Sequence, residues 1–228
     1  MKVAFFVEGY TEQILIRNLI IYNYGLEKMS YARFRLRGGG KAPYKVYNDE
    51  QHNATCGSPI HVFNIFDCMG FTALQSMISY QATSLYNNGF EKIIGIRDVY
   101  PNPKSDISKL KRSMPYGVPQ KPIQKHFILA VMETEAWFIS NEEHYLKISS
   151  ILTKDHIQEQ TGIDISLINV EDLEHPAETL NQIYSLAGES YEKTVISIDR
   201  TVNNLDLFHL LTDTRIKSSS LNELLNHM

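Results

Sequence analysis

The sequence predicts an α/β fold with a mainly parallel sheet, helices on both faces and a C-terminal helical part. Short apolar runs typical of buried strands alternate with helical segments over residues 1–140, which is the pattern of a parallel sheet. Beyond Asn141 the strand-like runs largely disappear, and helix signals such as Pro176 followed by Gly188 replace them. We therefore expect an α/β domain at 1–140 and a helical extension at 141–228 that packs on the sheet.

The first predicted strand leads through a Glu-Gly turn into the first predicted helix. Lys2–Val7 is an apolar run of the buried type, and Gly9 allows a sharp turn after it. Thr11 is a candidate N-cap, and Glu12 lies in the first turn, where the helix dipole favours negative charge. Glu8 would then lie at the carboxyl end of a strand, where an enzyme could place a metal. A solvated turn residue or a partner for an arginine is the alternative.

The next predicted strand carries a row of arginines. Arg33, Arg35 and Arg37 alternate with apolar residues, and a triple-glycine turn with Lys41 follows before a polar, irregular stretch over 44–59. One interpretation is an edge strand that its charges protect from aggregation. The other is a phosphate-binding face beside a flexible loop, which makes Arg37 and Lys41 candidate substrate-binding residues.

Three further apolar runs each lead into acidic residues. Residues just past the carboxyl ends of parallel strands gather at one rim, so Glu8, Asp98 and either Glu133 or Glu135 are expected to meet there. Crowded carboxylates raise one another's pKa unless a cation neutralises them, and hard oxygen ligands favour Mg²⁺ or Mn²⁺. The runs and their acids are 60–66 with Asp67, 92–97 with Asp98, and 126–132 with Glu133 and Glu135.

Composition sets broad limits on the class of protein. With 228 residues, 43% of them hydrophobic, the chain can bury one sizeable core. The net charge of -4 argues against a protein that coats nucleic acid generally, although the stretch from Lys104 to Lys125 is locally basic. Cys56 and Cys68 fit a reducing compartment, and no apolar run is long enough to cross a bilayer. We expect a cytoplasmic protein with no membrane partner.

Several of these motifs together resemble a known family. The Val-Glu-Gly-Tyr-Thr-Glu run at 7–12 and the later strand-borne Asp98 resemble the TOPRIM domain of topoisomerases, primases and overcoming-lysogenization-type nucleases. The Glu-Thr-Glu-Ala-Trp run at 133–137, with His175-Pro176 and the Tyr-Glu-Lys run at 191–193, looks like a bacterial TOPRIM-like family of unknown function. The resemblance implies a Rossmann-like sheet over most of the chain.

The resemblance also implies roles for individual residues. Glu8 would assist proton transfer or metal binding, and Asp98 would be a metal ligand. The family's Asp-x-Asp pair is incomplete here, because Tyr100 occupies its second position. Glu135, or Glu133 in its place, would then complete the site.

The function that the resemblance implies is Mg²⁺-dependent hydrolysis of phosphodiester bonds in nucleic acid, by a phage-defence nuclease. Magnesium would activate water and neutralise charge on the phosphate, while Arg37, Lys41 and the basic stretch would hold the polyanion. Nucleases of the overcoming-lysogenization type pair with an ABC-type ATPase, so such an ATPase is an expected partner. The alternative is a catalytically silent TOPRIM-like module that binds a partner protein or nucleotide, with Tyr100 marking the loss of chemistry.

Overall fold

The computed structural model describes residues 1–39, 42–119 and 122–228, and it confirms an α/β fold. Its strands are β1 (Lys2–Val7), β2 (Met29–Gly39), β3 (Ala42–His52), β4 (His61–Asp67), β5 (Lys92–Asp98) and β6 (Gln124–Ala130). They form one sheet in the order β3-β2-β4-β1-β5-β6. The β1–β4, β1–β5 and β2–β4 pairs are parallel, whereas β2 and β3 are antiparallel.

Helices connect the strands and make up most of the chain beyond β6. Those before β6 are α1 (Tyr10–Tyr24), α2 (Phe71–Asn87) and α3 (Ile107–Ser113). Those after it are α4 (Ala136–Ile139), α5 (Glu142–Ile148), α6 (Lys154–Thr161), α7 (Pro176–Ser185), α8 (Val195–Asn204), α9 (Leu207–His209), α10 (Arg215–Lys217) and α11 (Ser219–His227). Single 3₁₀ turns at Lys104–Asp106 and Val170–Asp172 and a wider turn at Leu210–Thr214 complete the described helices. Within the described part of the chain, no helix has the length and apolar character that crossing a bilayer requires.

The chain divides into two compact units. The first contains residues 1–97 and 108–129, and the second contains residues 98–107 and 130–228. The first unit therefore holds nearly the whole sheet, and the second begins where β5 and β6 end. The domain boundary at residue 140 stays a prediction, since a compact unit is not necessarily a domain that folds by itself.

Strand β1 lies inside the sheet because its residues are apolar on both faces. Val3, Phe5 and Val7 are completely buried, and β1 pairs with β4 on one side and β5 on the other.

Gly95 of β5 is closely surrounded by side chains. A Cβ there would lie 3.1 Å from Cδ1 of Phe127 and 3.2 Å from Cδ1 of Ile78. A side chain at this position would therefore require the neighbouring side chains to shift by a few tenths of an ångström.

The segment that follows the arginine row is a strand rather than an irregular stretch. Strand β3 pairs with β2 and forms one edge of the sheet, while β2 lies inside with β4 on its other side. Of the two interpretations of Tyr31–Arg37, that of an edge strand is therefore wrong. Polar residues such as Lys45 and Glu50 suit an edge strand because an edge tolerates charge, and this is why polarity alone concealed β3.

Candidate functional site

Acidic residues stand at or just after the carboxyl ends of four strands. Glu8 and Asp67, in the first unit, belong to the ends of β1 and β4. Asp98 ends β5, and Glu133 and Glu135 lie in the loop after β6; all three belong to the second unit. The second unit therefore contains three of the four predicted acidic residues, so the contacts around these three lie within one unit.

The carboxylate of Asp98 is held by the loop that follows β6. Its Oδ1 accepts hydrogen bonds from the backbone N of Thr134 at 3.1 Å and from Thr134 Oγ1 at 3.0 Å. Beyond the strand ends, Val99 N donates to the carbonyl of Ala130, and Tyr100 N donates to the carbonyl of Met132. These contacts fix the orientation of Asp98 relative to the loop, as a preorganised site requires.

The two glutamates of that loop are buried and point toward the same lysine. Glu133 Oε1 accepts a hydrogen bond from Lys193 Nζ at 2.8 Å, and its Oε2 accepts one from Ala177 N, in the first turn of α7, at 2.9 Å. Glu135 Oε1 accepts a hydrogen bond from the Tyr191 hydroxyl at 2.7 Å. The remaining oxygen, Glu135 Oε2, lies 3.2 Å from Lys193 Nζ without hydrogen-bond geometry.

Lys193 is the cation of this cluster. Burial lowers the pKa of its ammonium, but the opposing effects of Glu135, Glu133 and Asp98 are larger together and raise the pKa above the ordinary value. The side chain is nevertheless 42% exposed, so the ammonium also reaches solvent.

Two residues of this region have left-handed backbone. Lys193 has a φ of 52° and Met132 a φ of 60°. Such left-handed backbone is uncommon outside glycine.

The donor set fits a divalent cation in chemical type and in charge. Asp98, Glu133 and Glu135 offer the carboxylate oxygens that Mg²⁺ prefers, and one of these oxygens, Glu135 Oε2, is buried with no hydrogen bond. Three carboxylates and one ammonium leave two formal negative charges. Among the residues that the structure describes, however, no group of three or more His, Cys, Asp or Glu has the arrangement of a metal centre. Lys193 thus already supplies part of the charge that a metal was expected to supply.

Glu8 lies in the first unit, where its surroundings are those of a turn between strand and helix. Its carbonyl accepts a hydrogen bond from Gly70 N at 2.7 Å. The N-cap of α1 is Gly9 rather than the predicted Thr11, because Glu12 Oε2 accepts the backbone hydrogen bond of Gly9 at 2.9 Å. The meeting of Glu8 with Asp98 stays a prediction.

Asp67 is an acidic residue of the first unit that was not among the predicted site residues. Asp67 lies opposite Val7 in the parallel pairing of β1 and β4. It is therefore a neighbour of Glu8, the residue that follows Val7 in the chain. Burial raises the pKa of Asp67, while a hydrogen bond from Met69 N and the charge of Arg35 oppose this shift. The sequence feature that could have identified Asp67 is the one that identified Glu8, namely an acid at the end of an apolar strand.

The arginine row of β2 is largely neutralised by β3. Arg33 Nε lies 2.5 Å from Glu50 Oε2, and an Arg35 nitrogen lies 2.6 Å from Asp49 Oδ1. Arg37 is exposed, with its guanidinium 5.9 Å from the centre of the Tyr47 ring. Of the two candidate substrate-binding residues in this region, Arg37 is therefore a described surface cation, whereas Lys41 lies outside the described residues.

Thr134, Tyr191 and Lys193 complete the cluster and were not predicted as site residues. Tyr191 and Lys193 had only one signal in the sequence, the Tyr-Glu-Lys run of the family resemblance, and Thr134 carried no signal beyond its place between the two glutamates. Comparison with protein-family models, curated proteins and solved structures found no match for this chain. The resemblance to TOPRIM domains accordingly remains a hypothesis.

Proposed function

We propose that the protein is a Mg²⁺-dependent phosphodiesterase that cleaves nucleic acid, with its chemistry at the cluster of Asp98, Glu133, Glu135 and Lys193. The observation that carries this proposal is the buried pair of glutamates that one lysine bridges, close to a strand-end aspartate oriented by Thr134. Buried acids are costly unless they are paired or bind a metal, and such groups cluster at functional sites. A divalent ion could share the carboxylates with Lys193 and attract a polyanionic substrate.

Each residue has a chemical task in this proposal. Asp98 and Glu135 would hold Mg²⁺, which supplies activation of water and neutralises charge on the phosphate when it is bound. The partly exposed ammonium of Lys193 donates to a phosphate oxygen and stabilises the charge that develops there. Glu133, anchored by Ala177 N, orients Lys193, and Tyr191 orients Glu135. The TOPRIM resemblance implies a further role for Glu8, in proton transfer or metal binding, and that role stays a prediction.

Cleavage of labelled DNA and RNA by the purified protein, with Mg²⁺, Mn²⁺ or a chelator, tests this proposal. We expect metal-dependent products from the wild type and a loss of about 100-fold or more in rate for Asp98→Asn and Glu135→Gln, by analogy with the removal of single transition-state contacts. Glu143→Gln, on the exposed surface of α5, is the matched control and should cleave normally. Equal rates for Asp98→Asn and Glu143→Gln would refute the assignment.

Two observations favour a second candidate, a catalytically silent module that binds a partner protein or nucleotide. Lys193 already pairs with both glutamates, and Tyr100 replaces the second aspartate of the family's metal-binding pair. Titration calorimetry separates the two candidates. Mg²⁺ binding that Asp98→Asn abolishes supports the enzyme, whereas absent Mg²⁺ binding together with co-purification of an ABC-type ATPase supports the silent module.

The biological setting that we propose is phage defence in the cytoplasm. Cys56 and Cys68 are both free thiols, in keeping with a reducing compartment. Plating efficiency of phage on cells that express the wild type or Asp98→Asn measures the effect. Protection by the wild type alone supports a defence nuclease, and equal plating on both strains contradicts it.

A further inference from the structure

The first unit contains a cationic cavity that the proposed reaction does not use. Its volume is about 400 Å³, within the range of sites that hold small ligands. None of its described lining residues is acidic. They are Gln75 of α2, Arg97 of β5, Lys109, Arg112 and Ser113 of α3, and Tyr116.

Hydrogen bonds and core packing hold the walls of the cavity in place. Gln75 Nε2 donates to the carbonyls of Ser113 at 2.6 Å and Met114 at 2.9 Å, which ties α2 to the end of α3. Leu110 and Met114 are buried and anchor the same segment in the core. Arg112 Nε donates to the carbonyl of Ser108 at 3.2 Å. The cationic face is therefore built on a fixed backbone.

Two cations of the basic stretch from Lys104 to Lys125, Lys109 and Arg112, line this cavity. Lys109 and Arg112 are three residues apart on α3 and so share a face. Lys104 does not line the cavity and pairs with Glu174, and Lys125 is buried with its ammonium on the carbonyl of Ile123. Lys121 lies outside the described residues. The positive charge of the stretch is thus partly concentrated at one place.

Tyr116 adds an aromatic surface to the same cavity. It is 84% exposed, although a ring of this size normally buries most of its area. An exposed aromatic ring beside several cations is the combination with which proteins bind single-stranded nucleic acid, because bases stack on the ring while phosphates contact the cations. Bases inside a duplex have no free face to stack in this way.

We infer that this cavity binds single-stranded nucleic acid. Arg97, Lys109 and Arg112 contact the phosphates of the strand, and Tyr116 stacks on one base. The binding requires no metal and no cleavage, so it goes beyond the proposed hydrolysis and would hold equally for a catalytically silent protein.

Fluorescence anisotropy with labelled oligodeoxythymidylate in the presence of a chelator tests this inference. Tyr116→Ala should weaken binding about tenfold, because a stacked base contributes roughly 1–3 kcal/mol, while Tyr116→Trp should retain it. Arg112→Glu should weaken binding and lower the slope of log K against log salt by about one for each phosphate interaction that the substitution removes. Tyr86→Ala, which removes a ring that is 50% exposed elsewhere in the first unit, and Lys28→Glu are matched controls and should bind normally.

Wild-type affinity in both Tyr116→Ala and Arg112→Glu would overturn the inference, as would equal binding of a DNA duplex. Competition by inorganic phosphate or a mononucleotide at the concentration of the strand would also overturn it and would identify a small-anion site. Because no metal is present, these results are independent of whether cleavage is observed.

Discussion

The ammonium of Lys193 lies 3.2 Å from Oε2 of Glu135, whose side chain is only 1% exposed. The same ammonium donates to Glu133, and the other oxygen of Glu135 accepts from Tyr191. One lysine thus holds two buried carboxylates for which the sequence pattern predicted a metal. This pairing makes the stability of the second unit and its proposed chemistry depend on the same side chain.

Removal of Lys193 should destabilise the protein. Lys193→Met leaves Glu133 and Glu135 buried without a counter-charge, and the loss of one partner from such a pair typically costs about 3 kcal/mol, with the lower end expected because the ammonium is partly exposed. Lys154→Met is the matched control, since Lys154 is exposed to the same extent but pairs with Asp164, a more exposed acid than Glu133 or Glu135, and less than about 1 kcal/mol is expected. Urea unfolding measures both. Equal losses in the two variants would contradict the pairing.

His144 should make stability depend on pH in the acidic range. Complete burial lowers its pKa to about 4, a hydrogen bond to the carbonyl of Asn141 opposes this shift, and the charge of Lys147 adds to it. A depressed pKa means that the stability is present above the ordinary value near 6.5 and is lost as the pH falls toward 4. The difference between the ordinary pKa near 6.5 and the pKa of about 4 in the folded protein corresponds to a loss of roughly 3 kcal/mol in the free energy of unfolding.

The measurement is urea unfolding of the wild type and His144→Gln at several pH values between 7 and 4.5. The variant should lose less stability over this interval than the wild type, whatever its stability at neutral pH. His156→Gln, on α6, controls for the loss of a histidine elsewhere in the second unit. Parallel curves for the wild type and His144→Gln would exclude His144 as the source.

Enlargement of Gly95 should destabilise the first unit. Its added Cβ would meet Phe127, Ile78 and Leu74 at 3.1 to 3.3 Å, so neighbouring side chains must shift by a few tenths of an ångström. We expect a loss of about 1 kcal/mol for Gly95→Ala and roughly 3 kcal/mol for Gly95→Val, as for other overpacked cores. Denaturant unfolding checks the order of the two variants. Unchanged stability in Gly95→Val would show that this packing is loose.

A second carboxylate at position 100 should strengthen metal binding. Tyr100 is 45% exposed, and its ring lies 6.1 Å from that of His175, so its replacement disturbs no buried packing. Tyr100→Asp should raise Mg²⁺ affinity about tenfold, equivalent to roughly 1.4 kcal/mol, because it adds a hard anionic ligand close to Asp98 in the chain. Calorimetry measures the change, with Tyr100→Asn as the uncharged control. No difference between these variants would argue against a metal at this site.

Much of the fold was predictable because its signals are local. The apolar run Lys2–Val7 is a strand with those bounds, and the helix predicted to begin at Pro176 does begin there. Strand β3 escaped prediction because an edge strand needs little apolar surface, so its pairing with β2 was the only evidence for it. The acidic strand ends were likewise visible, whereas their partners were not.

The sequence by itself determined the apolar strands, most of the helices and the acids that end those strands, because burial and chain reversal leave local patterns of apolar residues and glycine. Only the tertiary structure decided that Lys193 bridges Glu133 and Glu135, since the lysine lies 60 residues beyond Glu133 in the chain. It also decided that Arg33 and Arg35 pair with acids of β3, and that Arg97, Lys109 and Arg112 share a cavity with Tyr116. Charge acts through space, so its partners depend on the folded path of the chain rather than on spacing along it.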